Sequence, residues 1–300
     1  MKSVSLLDGG LGQEIYRRAP SVSSPLWSVA VMQAHPEIVT GVHADFIRAG
    51  AKTLSLNTYA ATPTRLHTQG LYDQMEAIHQ QAFRALERAI DITHAQVDIA
   101  GCLGPLQGSY RGRPDRSFED LCDEYGTLVR LQARADVLLI ETMTNTLEAT
   151  AACAAARELG KPFGVAFRIE ANGRLRSGES LTDAVVAVRE YSPTAVMLNC
   201  CDPEHMTERM PDLIKRYPRV GGYANAFKSV EALAGGGSVD ALEARTDISP
   251  LAYVEEVRKW LAGGALVVGG CCEITPEHLQ TMVDVLGGEF EFIRFSHLPS

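Results

Sequence analysis

The run Val267-Val268-Gly269-Gly270-Cys271-Cys272 decides how this chain is read. An apolar strand stops there, a helical pattern begins, and two thiols stand at the junction. A second pair, Cys200-Cys201, ends the apolar run Ala195–Asn199. Two strand ends carrying three or four thiols point to one thiolate metal site. Zinc suits it, being soft enough for sulfur and free of redox chemistry that would oxidise its ligands. If only three thiolates bind, the fourth position stays open, as in catalytic zinc sites.

Working outward, short apolar strand patterns alternate with longer helical ones. Strands are expected at 5–8, 53–57, 97–102, 137–141, 163–168, 195–200, 220–223 and 266–269. Helical spacing is clear over 37–49, where Ile38, Val42, Phe46 and Ile47 share a face, and recurs over 72–92, 118–133, 146–159 and 253–261. Eight strands in βα alternation without a composition break predict a (β/α)8 TIM barrel, one domain spanning residues 1–300. A doubly wound open sheet is the alternative, but its phosphate fingerprint is missing. Asp8-Gly9-Gly10-Leu11-Gly12 is not G-x-G-x-x-G, and no ribose-binding acid follows at the right distance. The glycine-rich stretch 234–239 reads as a loop or lid on the active face.

The chain has 300 residues, 46% hydrophobic and 22% charged, which is ample for a core. A net charge of −9 without a Lys/Arg cluster argues against nucleic-acid binding. No apolar stretch approaches the roughly 20 residues of a spanning helix, and the N-terminus is unlike a signal peptide. A cytoplasmic protein is expected. There, seven cysteines without framework spacing favour metal or catalytic roles over disulfides. Oligomeric state is left open.

A barrel of this kind places its active site at the C-terminal strand ends. Those ends carry Asp8-Gly9-Gly10, Asn57-Thr58-Tyr59, Gly104-Pro105, Glu141-Thr142, Asn199-Cys200, Tyr223-Ala224-Asn225 and Gly269-Gly270-Cys271-Cys272. In this order the set resembles the homocysteine S-methyltransferase family, zinc-dependent barrels that include betaine–homocysteine methyltransferase and the homocysteine module of cobalamin-dependent methionine synthase. The likeness covers nearly the whole chain. Asn-Cys with Gly-Gly-Cys-Cys is its most specific part.

The resemblance implies zinc ligands at Cys200, Cys271 and Cys272, the first chosen over Cys201 because it directly follows Asn199. Neighbouring strand residues also point in opposite directions, so Cys200 and Cys201 rarely share a metal. Cys122 and Cys153, on helical patterns, read as packing residues, and so does Cys102, as a small residue of the strand-end turn on the active face. Zinc would deprotonate the homocysteine thiol, which otherwise titrates near ~8.5. Glu141 is the implied partner of the substrate ammonium, or else a helix-capping carboxylate. Asp8 is a second polar site residue, or else a turn former. Asn57, Thr58 and Asn225 are hydrogen-bond candidates toward substrate or the site loops. Trp27, Tyr59 and Tyr223 are aromatic candidates for holding an onium donor by cation–π attraction.

The chain departs from the family after the third strand, where residues 104–113 bring Arg111 and Arg113 into a shortened segment. The departure bears on the donor and on the acceptor thiol. At this length neither cobalamin or folate domains nor the long C-terminal extension of betaine-using relatives is expected. S-methylmethionine is therefore expected as donor, with S-adenosylmethionine next. Betaine, a corrinoid-protein donor and another thiol acceptor remain alternatives. A non-enzymatic zinc-binding protein is the reading from another class.

Overall fold

The computed structural model describes residues 1–19, 24–231 and 242–299. Among them are nine parallel strands. These are β1 (Lys2–Leu6), β2 (Thr53–Ser55), β3 (Asp98–Leu103), β4 (Val137–Met143), β5 (Phe163–Phe167), β6 (Ala195–Asn199), β7 (Val220–Tyr223), β8 (Val267–Val268) and β9 (Phe290–Ile293). They form one sheet in the order β2-β3-β4-β5-β6-β7-β8-β1-β9. The sheet curls until β1 meets β2. One bridge joins Leu7 to Thr53, with Asp8 N–H donating to the Thr53 carbonyl at 3.0 Å and Lys52 N–H to that of Leu6 at 2.9 Å.

The first eight strands are those the sequence predicts, with shifted ends. β2 stops at Ser55, so Asn57-Thr58-Tyr59 belongs to the loop. β8 is only two residues long, because Gly269 and Gly270 already leave the ladder. β9 was not expected. It runs beside β1, with Lys2 opposite Phe290 and Ser5 opposite Ile293. Phe295 follows it and is fully buried inside the barrel floor, among Leu139, Ala166 and Met197. Its N–H donates to Thr53 Oγ1 at 2.9 Å, and the Asp98 carboxylate receives both Ser296 N–H and its hydroxyl.

Eleven α-helices are described: α1 (Leu11–Arg18), α2 (Ser28–Ala34), α3 (Pro36–Arg48), α4 (Pro63–Thr68), α5 (Met75–Thr93), α6 (Phe118–Leu131), α7 (Thr146–Glu158), α8 (Leu181–Arg189), α9 (Pro203–Ile214), α10 (Pro250–Gly263) and α11 (Pro276–Leu286). Their starts are written in the sequence. Ser117, Asn145, Ser180 and Ser249 each accept a hydrogen bond from the backbone three residues on. Proline stands first in α3, α4, α9, α10 and α11, where its missing N–H costs nothing. No helix among the described residues is long and apolar enough to cross a membrane. The stretch 234–239, read above as a loop or lid, lies outside the described residues.

Candidate active site

The C-terminal strand ends surround a cavity of about 750 Å³. At its base the Sγ atoms of Cys200, Cys271 and Cys272 lie within 4.8 Å of one another. Backbone bonds stitch the three positions together. Cys200 N–H donates to Tyr223 O, Cys271 N–H to Ala224 O, and Ala226 N–H to Cys272 O, at 2.9–3.1 Å. From α10, the Tyr253 hydroxyl donates to Gly269 O and receives Ala224 N–H, pinning the ends of β7 and β8. Gly10 must be small here, since a Cβ would come within 2.7 Å of the Cys271 carbonyl.

Cys200 has a φ of +53°, which takes the chain out of β6 and separates the two adjacent thiols. Its Sγ meets the Tyr110 hydroxyl at 3.1 Å and Asn225 Nδ2 at 3.7 Å. Cys201 instead turns into the apolar core. It accepts Ile169 N–H at 3.2 Å and bonds the Asn199 carbonyl, and burial pushes its thiol up to about 12. Of seven non-glycine residues with positive φ among the described residues, four line the cavity: Trp27, Tyr110, Thr142 and Cys200. Backbone strain is thus concentrated where chemistry is expected.

The cavity wall also carries two acids, Asp8 and Glu141. β4 loses its register at Glu141-Thr142, and Thr142 has a φ of +61°. Asn199 clamps this irregularity, receiving Thr142 N–H and donating to its hydroxyl, both at 3.0 Å. Glu141 accepts the Cys102 thiol at 2.9 Å. Asp8 accepts Ser55 N–H at 3.0 Å. Burial raises both carboxyls above their usual range, strongly for Asp8, where the Ser55 bond opposes the shift and Glu141 adds to it. Neither forms an ion pair within 4.0 Å among the described residues. The site therefore suits a ligand that brings its own positive charge.

The remaining candidates divide by position. Trp27, Tyr59 and Tyr223 line the cavity. A Cβ on Gly12 would strike the Trp27 ring at 2.4 Å, so that glycine gives the ring its seat. The Tyr59 hydroxyl pairs with Ser109 at 2.8 Å, and the Arg65 guanidinium lies over its ring at 5.4 Å. Asn57 borders the cavity, but its amide is taken up by Ser28, whose hydroxyl donates to Oδ1 and whose carbonyl accepts Nδ2–H. Thr58 and Asn225 stand behind the wall. Thr58 bonds Gln132 at 3.1 Å, while Asn225 faces Cys200 and the Phe227 N–H. Cys102, read as a packing residue, instead lines the cavity on Glu141. Tyr110, Ser55 and Arg65 were not singled out from the sequence. Their partners lie on other elements, so no local pattern marks them.

A parallel barrel that gathers three thiols and two buried carboxylates around one strand-end cavity has the build of an α/β enzyme. The chain belongs to the homocysteine S-methyltransferase family, whose pattern it matches over residues 5–286. It is 27% identical to the homocysteine S-methyltransferase of Escherichia coli K12, with 94% of each chain covered. It is 25% identical to the homocysteine S-methyltransferase YbgG of Bacillus subtilis 168, with 92% of each covered. The metallated homocysteine methyltransferase MmuM of Escherichia coli shares its fold, with a TM-score of 0.80 at 24% identity over 95% of this chain and 96% of the other.

Proposed function

We propose that this enzyme moves a methyl group from an onium donor, S-methylmethionine before S-adenosylmethionine, to the thiol of homocysteine, giving methionine, with zinc on Cys200, Cys271 and Cys272. The observation that carries the reading is the three-thiol cluster at the base of a cavity that also holds Asp8 and Glu141. Zinc suits the donor set. Tetrahedral bonds of about 2.3 Å place sulfurs some 3.8 Å apart, inside the 4.8 Å the cluster spans. When bound, the metal supplies deprotonation of an incoming thiol near neutral pH.

The chain's own residues do the rest. Glu141 and Asp8 accept the acceptor's ammonium, whose charge replaces the one their burial lacks. Tyr110 and Asn225 orient Cys200. Phe227 and Val230 pack beside it and keep water from the thiols. Trp27, Tyr59 and Tyr223 border the space left for the onium group, whose positive charge favours their ring faces. Sulfur, methyl carbon and leaving atom are then held in line, which is most of what such a transfer needs.

The test is methionine formation from homocysteine and S-methylmethionine by zinc-loaded, reduced protein. Turnover lost in Cys272→Ala is expected. A zinc-binding protein that turns over neither S-methylmethionine nor S-adenosylmethionine would overturn the donor assignment and move the search to betaine or a corrinoid protein.

A further inference from the structure

Arg65 stands out on the cavity wall as a guanidinium with no ion pair within 4.0 Å among the described residues. It sits on the short α4, its N–H capped by Thr62. Its guanidinium lies on the Tyr59 ring, and the Nη2 donates only to Pro105 O, at 3.4 Å. The Nε–H is buried without a partner. Glu148 is within electrostatic reach, but its oxygens already take Leu106 N–H, the Tyr125 hydroxyl and Asn145. Arg168, the other arginine stacked at this site, pairs with Glu170. A guanidinium stays charged even when burial works against it, and its planar fork matches a carboxylate. Leaving such a group unfilled costs free energy that a ligand can recover.

We propose that Arg65 is the carboxylate anchor for the methyl donor and makes the enzyme selective for onium donors that carry a carboxylate. This rests on the methyl-transfer reading given above. On that reading the acceptor is held by its sulfur at the thiol cluster and by its ammonium at Asp8 and Glu141. Arg65 instead holds Tyr59, one of the rings bordering the onium space. With a cation already stacked on Tyr59, a donor whose carboxylate offsets part of its positive charge is favoured there over one without a carboxylate. Its carboxylate meets Arg65 while its onium end reaches toward the thiols.

The experiment titrates zinc-loaded protein, without acceptor, with S-methylmethionine and with its carboxamide, which differ only in the carboxylate. Wild type should bind the carboxylate at least tenfold more tightly. Arg65→Met should weaken S-methylmethionine by about 10- to 100-fold and leave the carboxamide unchanged. Arg65→Lys should recover part of the loss. Equal affinity of wild type for both probes, absence of binding included, would overturn the proposal. So would an Arg65→Met defect shared by both probes or confined to the KM of homocysteine. Tight Arg65-dependent binding without methyl transfer would fault the reaction and not the subsite. Transfer with Arg65-independent binding would fault the subsite alone.

Discussion

Cys200 and Cys201 show how much one residue of displacement changes. Both are buried free thiols on one strand end, yet one joins the cluster and the other bonds the backbone of Ile169 and Asn199. Metal analysis should find one zinc per chain in wild type and in Cys201→Ala, and far less than one in Cys200→Ala. Cys201→Ala should lose about 1–2 kcal/mol of stability, the worth of a small buried group and its hydrogen bond. Equal metal loss in both variants would refute the assignment of ligands. The thiols were legible because they cluster at predicted strand ends. Cys102 was not, because its partner Glu141 is 39 residues away on the adjacent strand. Tyr110 was hidden for a related reason: it lies in a loop without periodicity, and only the folded chain brings it to Cys200.

At the scale of elements, α3 carries an acid-sensitive residue. His43 is fully buried on its inner face with both ring nitrogens unpartnered, and burial lowers its pKa from 6.5 to about 3. A depressed pKa means that the unfolded chain binds the proton first. Stability from neutral His43 is therefore complete above about pH 6.5 and is lost as pH falls toward 3. The slope should approach 1.4 kcal/mol per pH unit within that window. Chemical denaturation at pH 7, 5.5 and 4.5 should show His43→Leu losing less stability than wild type over the same interval. Parallel losses would remove His43 from the account. The periodicity of α3, α5, α6 and α7 was readable because each is long enough to repeat its apolar face. α1, α2 and α4 are 6 to 8 residues long, too few turns for a pattern. α10 was predicted three residues late because Ser249-Pro250, a cap and a first-turn proline, precede its apolar face.

For the whole molecule, the unexpected strand closes the floor. Phe-Glu-Phe-Ile at 290–293 alternates as a half-buried strand does, but nothing local says that it joins β1 or that Phe295 turns inward. Phe295→Ala removes a fully buried ring, and a loss of about 3–5 kcal/mol is expected in urea unfolding. Kinetic constants at low temperature should change little, since Phe295 does not line the cavity. A loss below 1 kcal/mol would mean that the floor collapses around the gap. The β1 and β2 segments meet through a single bridge, while every other neighbouring pair shares at least two registered positions. Asp8 stands at that junction and clasps Ser55 across it. A carboxylate of the cavity wall is thus also a fastener of the barrel. Any substitution at Asp8 therefore loosens the seam of the cylinder together with the wall of the cavity.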